Sequence, residues 1–177
     1  MMEQEQIVAT VRSTTVEVFS TMLGLDVTIG DPRTEVNAPG PSDGVIAVIG
    51  LAGAWIGTGS LSCDASMACR MSSSMLGTEY TEVNEDVLDA LSEIANMIFG
   101  NFKTIAETYL GPLGLSIPTV VYGLSFSART AGKEKWIVVP FLCGNDAVEI
   151  KVCLTPNRGL PSHWHRPVIS DHTGCSP

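Results

Sequence analysis

Positive charge is scarce in this chain: ten Lys and Arg stand against nineteen Asp and Glu, a net charge of −9. A protein that binds nucleic acid or an anionic membrane needs basic clusters to meet phosphates, so neither is an expected partner. The first residues, Met-Met-Glu-Gln-Glu-Gln, have no positive start and no apolar core of a signal peptide. One uncharged stretch, 44–63, is long enough to raise a membrane span, yet it contains five glycines, with Ser and Thr near its end. Its alternation fits a buried hairpin better than the roughly 20 strongly apolar residues a span requires. A soluble, cytoplasmic protein is expected. Three catalytic signatures are also missing: no Gly-x-x-x-x-Gly-Lys loop cradles nucleotide phosphates, no His-Glu-x-x-His binds zinc, and no Gly-x-Ser-x-Gly presents a nucleophile.

Cysteine is sparse and unpaired in pattern. Cys63, Cys69, Cys143, Cys153 and Cys175 form an odd set with no close pair, and in a reducing compartment free thiols are the default. Cys63, Cys143 and Cys153 fall in or beside expected strands and read as small core residues. His163, His165, His172 and Cys175 are metal-ligand types, but their spacing matches no zinc pattern and the surrounding segment is rich in Pro, Ser and Gly. Residues 156–177 are therefore expected to form a flexible tail without a metal site.

What the chain does have is a long amphipathic helix with an unusual outer face. Val87, Leu91, Ile94, Ile98, Phe102, Ile105 and Tyr109 recur at steps of four and three, the buried stripe of a surface helix. Asn84 suits the N-cap, Glu85 and Asp86 suit the dipole in the first turn, and Gly111-Pro112 ends the helix. Asp89, Glu93, Asn96 and Gly100 each lie two residues beyond a stripe position, about 200° around the helix. They face water or a partner.

The pair Glu93 and Asn96 is the candidate functional centre, because a carboxylate can hold a cation and a carboxamide can orient a water. The plain alternative is a solvated face. Against it, the usual Lys or Arg partner four residues after Glu93 is Met97, and four residues before it stands another acid, Asp89. Like charges at that spacing cost about 0.2–0.5 kcal/mol. Gly100 adds a cost of about 0.5–1 kcal/mol against alanine in mid-helix and leaves a flat patch one turn beyond Asn96. Asp89 and Gly100 are thus candidate partner-binding positions, with the missing cation supplied from another protein.

A partial copy of this helix precedes it. Ser13, Glu17, Val18, Ser20, Met22, Leu23 and Gly24 correspond to Asp89, Glu93, Ile94, Asn96, Ile98, Phe99 and Gly100 at a constant offset of 76, Glu17 to Glu93 and Gly24 to Gly100 alike. Strands are expected after each copy: 25–29, 44–49 and 55–62, then 117–122, 136–142 and 147–154. Gly50 and Gly53 are available for one connection and Gly144-Asn145-Asp146 for another. Ser72, Ser73 and Ser74 fall in a short helix expected over 65–76. Pro39-Gly40-Pro41 reads as a loop and not a boundary, because the repeat needs both sides of it. At 177 residues and 45% hydrophobic, the chain fits one α+β domain over 1–155, built of two helix-plus-three-strand units. Ser20 is too short to replace the reach and dual hydrogen bonding of Asn96, so one functional site per chain is expected.

With these residues the chain resembles the CheX and CheC type of chemotaxis phosphatases, which share a fold with the flagellar-switch protein FliY. Their pattern is an Asp or Ser, then Glu, then Asn on a helix, with a later proline; here these are Asp89, Glu93, Asn96 and Pro118. Glu-Ile-Ala-Asn-Met-Ile-Phe-Gly-Asn from Glu93, Ser-Ile-Pro-Thr-Val-Val-Tyr-Gly from Ser116 and Phe-Ser-Thr-Met-Leu-Gly from Phe19 look most like CheX, as does the single intact site. The resemblance implies a CheC-like fold and a phosphatase acting on the aspartyl phosphate of a CheY-like receiver domain. Glu93 would pair with a receiver lysine and Asn96 would position the attacking water. Magnesium would be supplied by the receiver, with no cofactor bound by this chain. The resemblance also implies a homodimer formed through an outer strand. A non-catalytic module that docks a receiver or a flagellar-switch partner is the alternative.

Overall fold

The computed structural model describes residues 2–36, 43–124 and 135–159. The expected loop at Pro39-Gly40-Pro41 and the His and Cys positions of the tail, His163, His165, His172 and Cys175, lie outside the described residues.

In chain order the elements are helix α1 (Gln4–Val18) with a π-helical turn (Phe19–Leu23), strands β1 (Thr28–Ile29), β2 (Arg33–Val36), β3 (Asp43–Gly53) and β4 (Trp55–Cys63), helices α2 (Ala65–Leu76) and α3 (Glu85–Leu110), and strands β5 (Leu113–Leu115), β6 (Thr119–Leu124), β7 (Lys135–Cys143) and β8 (Asp146–Pro156). The uncharged stretch from 44 to 63 is the β3–β4 hairpin. Its reversal sits at Gly53 and Ala54, while Gly50 lies within the strand opposite Thr58. Gly53 has φ +153°, and a Cβ there would lie 2.2 Å from the Pro112 carbonyl oxygen, so only glycine fits. The first expected strand, 25–29, shrinks to β1, and the strand expected over 117–122 runs from Thr119 to Leu124.

All strands pair antiparallel in one sheet of order β1-β7-β8-β4-β3-β5, with β2 also along β7 and β6 also along β3. The two hairpins meet at the centre, where β4 pairs with β8 from Trp55–Pro156 to Cys63–Val148. Each half lends its leading strands to the other: β1 and β2 extend β7, and β5 and β6 extend β3. The halves are interlocked, a non-local pairing that local sequence patterns do not encode.

One face of the sheet carries the core. Val45, Ala47, Ile49 and Leu51 of β3, Leu61 and Cys63 of β4, Val139, Phe141 and Cys143 of β7, and Val148, Ile150 and Val152 of β8 cluster with the apolar sides of the three helices. That alternation is the two-residue period of a strand with one face on the helices. Cys63, Cys69, Cys143 and Cys153 are all buried and in no disulfide, and burial pushes the Cys63 thiol upward. On the opposite face Ser60, Ser62 and Lys151 are buried. Lys151 Nζ lies 3.0 Å from Glu149, which also accepts from Arg33. Burial works against the Glu149 charge, but these two cations outweigh it and hold the carboxyl below its usual range.

α3 is seated on the sheet through Phe99, whose ring meets the bare backbone of Gly59 in β4; a Cβ added there would fall 2.3 Å from Phe99 Cε1. Gly59→Ala is therefore expected to destabilise the fold by about 1–3 kcal/mol through overpacking, read as a lower urea midpoint. An unchanged midpoint would show that the helix is not held at this point.

Candidate functional site

The site helix owes its position to its ends and to one long apolar side. The Asn84 side chain accepts from the Val87 backbone N–H at 3.0 Å, and Glu85 and Asp86 occupy the first turn, as the sequence predicts. At the far end the Glu107 carboxylate accepts from Leu113 N–H at 2.8 Å and pairs with Lys103 at 3.2 Å. Ser72 Oγ of α2 donates to the Val87 carbonyl at 3.3 Å, which links the two helices through one member of the serine run.

The buried side differs from the expected stripe in its second half. Val87, Leu91, Ile94, Ile98 and Phe102 are buried, but Ile105 and Tyr109 are 37% and 44% exposed; Ala106 and Leu110 are buried in their place. Burial thus advances in steps of four from Phe102, and each such step gains about 40° on a full turn. The line of contact slants across the helix as it passes over its support.

Opposite that line the predicted row stands where counting placed it. Asp89, Glu93 and Asn96 are exposed and Gly100 is half-buried, all on the outward side of α3. Among the described residues no hydrogen bond or ion pair engages the Glu93 carboxylate or the Asn96 amide. Lys103, two turns beyond Asn96 on the same side, is held by Glu107; Arg70 is held by Asp146 and the Cys143 carbonyl, and Arg33 by Glu35 and Glu149. These cations are committed elsewhere. A Cβ built on Gly100 meets nothing within 4 Å, so packing within the chain does not demand glycine there. Pro118 is not on this helix but in the link between β5 and β6, half-buried, beside the exposed Ile117.

The arrangement offers an anion for a foreign cation and an amide that can both accept from and donate to a water or an incoming phosphoryl oxygen. Among the described residues no group of three or more His, Cys, Asp or Glu side chains gathers to hold a metal ion, and no helix is long and apolar enough to cross a membrane.

The first copy of the helix keeps the same cross-section. Each of residues 11 to 20 is buried, half-buried or exposed just as its counterpart 76 positions later, 87 to 96. Glu17 and Ser20 thus project as Glu93 and Asn96 do. The copies part at the next turn: the first helix widens into the π-helical turn and stops at Gly24, left-handed at φ +62°, whereas Gly100 stays inside a helix that runs on to Leu110. Sequence spacing finds the correspondence but not this difference in continuation.

The family of the chemotaxis phosphatase CheX matches residues 45–142, which take in all of α3. The CheY-P phosphatase CheX of Thermotoga maritima is 28% identical over 117 residues, 66% of this chain and 75% of that protein. The crystal structure of the chemotaxis protein CheX from Vibrio vulnificus superposes with a TM-score of 0.74 at 28% identity, covering 85% of this chain and 99% of the other. The fold recurs at 21% identity and a TM-score of 0.74 in the CheX–CheY–BeF3–Mg2+ complex from Borrelia burgdorferi, over 87% of this chain and 99% of that one. The interlocked α+β sheet and a family match over more than half its length place this chain in the CheX family of chemotaxis phosphatases.

Proposed function

We propose that this protein accelerates hydrolysis of the aspartyl phosphate on a CheY-like receiver domain, with Glu93 and Asn96 as the working pair. The observation that carries the reading is the exposure of both groups, side by side in sequence register and without a partner among the described residues. Relatives named as a CheY-P phosphatase and as a CheX–CheY complex support it.

The chemistry asks little of the protein beyond placement. An acyl phosphate has a good leaving group, and a loose transition state needs an in-line nucleophile and charge stabilisation more than a strong base. The Asn96 side-chain oxygen accepts a hydrogen bond from water and turns a lone pair toward phosphorus, which is catalysis by positioning. The new P–O bond forms to that water, the bond to the receiver aspartate breaks, and inorganic phosphate and a free carboxylate leave. The divalent metal sits in the receiver's own acidic pocket. Glu93 binds a receiver lysine and fixes the approach, while Asp89 and the flat surface at Gly100 flank the contact. The amide is what separates this reading from a docking module without hydrolysis: binding alone would not require it.

Self-association through an outer strand belongs to the same proposal. β6 pairs with β3 on one side, and on and beside it Ile117, Val121, Tyr122 and Leu124 are exposed, Ile117 at 88% and Leu124 at 76%. An apolar edge of this kind is a template for a second copy.

Asn96→Ala reduces receiver dephosphorylation by about 100-fold or more while receiver binding persists, and Glu93→Ala weakens the complex by about tenfold; normal turnover in the first variant, or a normal Kd in the second, overturns the assigned roles. Gly100→Ala stabilises the free protein by about 0.5–1 kcal/mol, since the helix gains and nothing clashes, but weakens receiver binding; improved stability with unaltered affinity would remove Gly100 from the interface. Light scattering gives twice the chain mass, and Tyr122→Lys lowers it to one; a wild-type monomer would end the edge-strand proposal.

A further inference from the structure

We infer that the outer face of α1 is a second docking face for the same class of receiver domain, one that binds without hydrolysis and uses Glu17 as its anchor. It rests on the reading of α3 given above and extends it to a face without the catalytic amide. The two helices agree in burial position by position across 11–20 and 87–96, so Glu17 stands out from the core as Glu93 does. Ser13 and Ser20 are exposed beside it. Among the described residues Glu17 has no ion pair. The basic residue of this helix, Arg12, lines a separate groove with Glu3, Glu5 and Pro32. A carboxylate in the same setting offers the same lysine the same contact, and that charge match selects the occupant.

Two further differences fit binding without chemistry. Ser20 Oγ donates to the Glu17 carbonyl at 3.2 Å and Thr21 Oγ1 to the same carbonyl at 2.6 Å, so these hydroxyls fold back onto the helix. Neither extends toward a phosphoryl group as an amide at that position would. The π-helical turn also brings Met22 to 53% exposure, whereas its counterpart Ile98 is buried. An apolar side chain is thereby added to the rim of the carboxylate face, where it can be covered by a partner.

The test is a calorimetric titration of the full chain with the CheY-like receivers of the same genome, each activated by beryllofluoride and Mg2+. The wild type is expected to take more than one receiver per chain, in a strong and a weak step, and Glu17→Lys to remove the weak one. In Glu93→Lys/Asn96→Ala, with folding checked by circular dichroism, binding persists about tenfold or more weaker than the wild-type strong step, and adding Glu17→Lys abolishes it. One receiver per wild-type chain together with no binding to Glu93→Lys/Asn96→Ala overturns the second face and leaves the α3 reading standing. No binding of any activated receiver to the wild type overturns both.

Discussion

The contact on which the molecule depends is that of an aromatic ring with bare backbone, Phe99 of α3 over Gly59 of β4. It lets the long helix lie close on the central strands, and close packing fixes its rotation. Once the rotation is fixed, the opposite row of side chains has no core to enter. Glu93 and Asn96 are outward because Ile94, Ala95, Ile98 and Phe99 are inward. A site built on such a rod needs no loop to order before it meets its partner, which reduces the entropic cost of docking.

Duplication explains both the economy and the asymmetry of the fold. Two helix-and-hairpin units exchange their leading strands, so the sheet is continuous only when both are present. The same helical cross-section occurs twice, but one copy widens and stops at Gly24 while the other continues through Gly100 to Leu110. At the position of Asn96 the second copy turns an amide outward, where the first has Ser20. The fold is thus a symmetric frame, and the proposed chemistry is assigned to the place where the two halves have diverged.

Much of this was legible in the chain itself, for local reasons. Asn84 and Gly111 mark the ends of α3 because capping is settled within one turn, and glycine turns mark the hairpins. The outward placement of Glu93 and Asn96 followed from counting against Leu91 and Ile94. Ile105 and Tyr109 were misread because a fixed stripe assumes that the support runs parallel to the helix, and here it slants. The strand exchange was hidden because β1 and β6 choose partners more than a hundred and more than seventy residues away in sequence, a choice no periodicity records. The fate of the cations was legible only in part: Lys103 and Glu107 are one turn apart, whereas Arg33 and Glu149 meet only across the sheet.

The central claim is that an outward carboxylate and amide, borne on a rigid helix, hasten loss of phosphate from a receiver. The most direct measurement is the lifetime of a phosphorylated receiver from the same genome, mixed with Mg2+ and a substoichiometric amount of this protein. The account predicts multiple turnovers, with phosphate released faster than by the receiver alone and at a rate proportional to the amount of protein added. A lifetime unchanged at every concentration, despite demonstrated binding, would contradict it and leave a docking module in place of an enzyme.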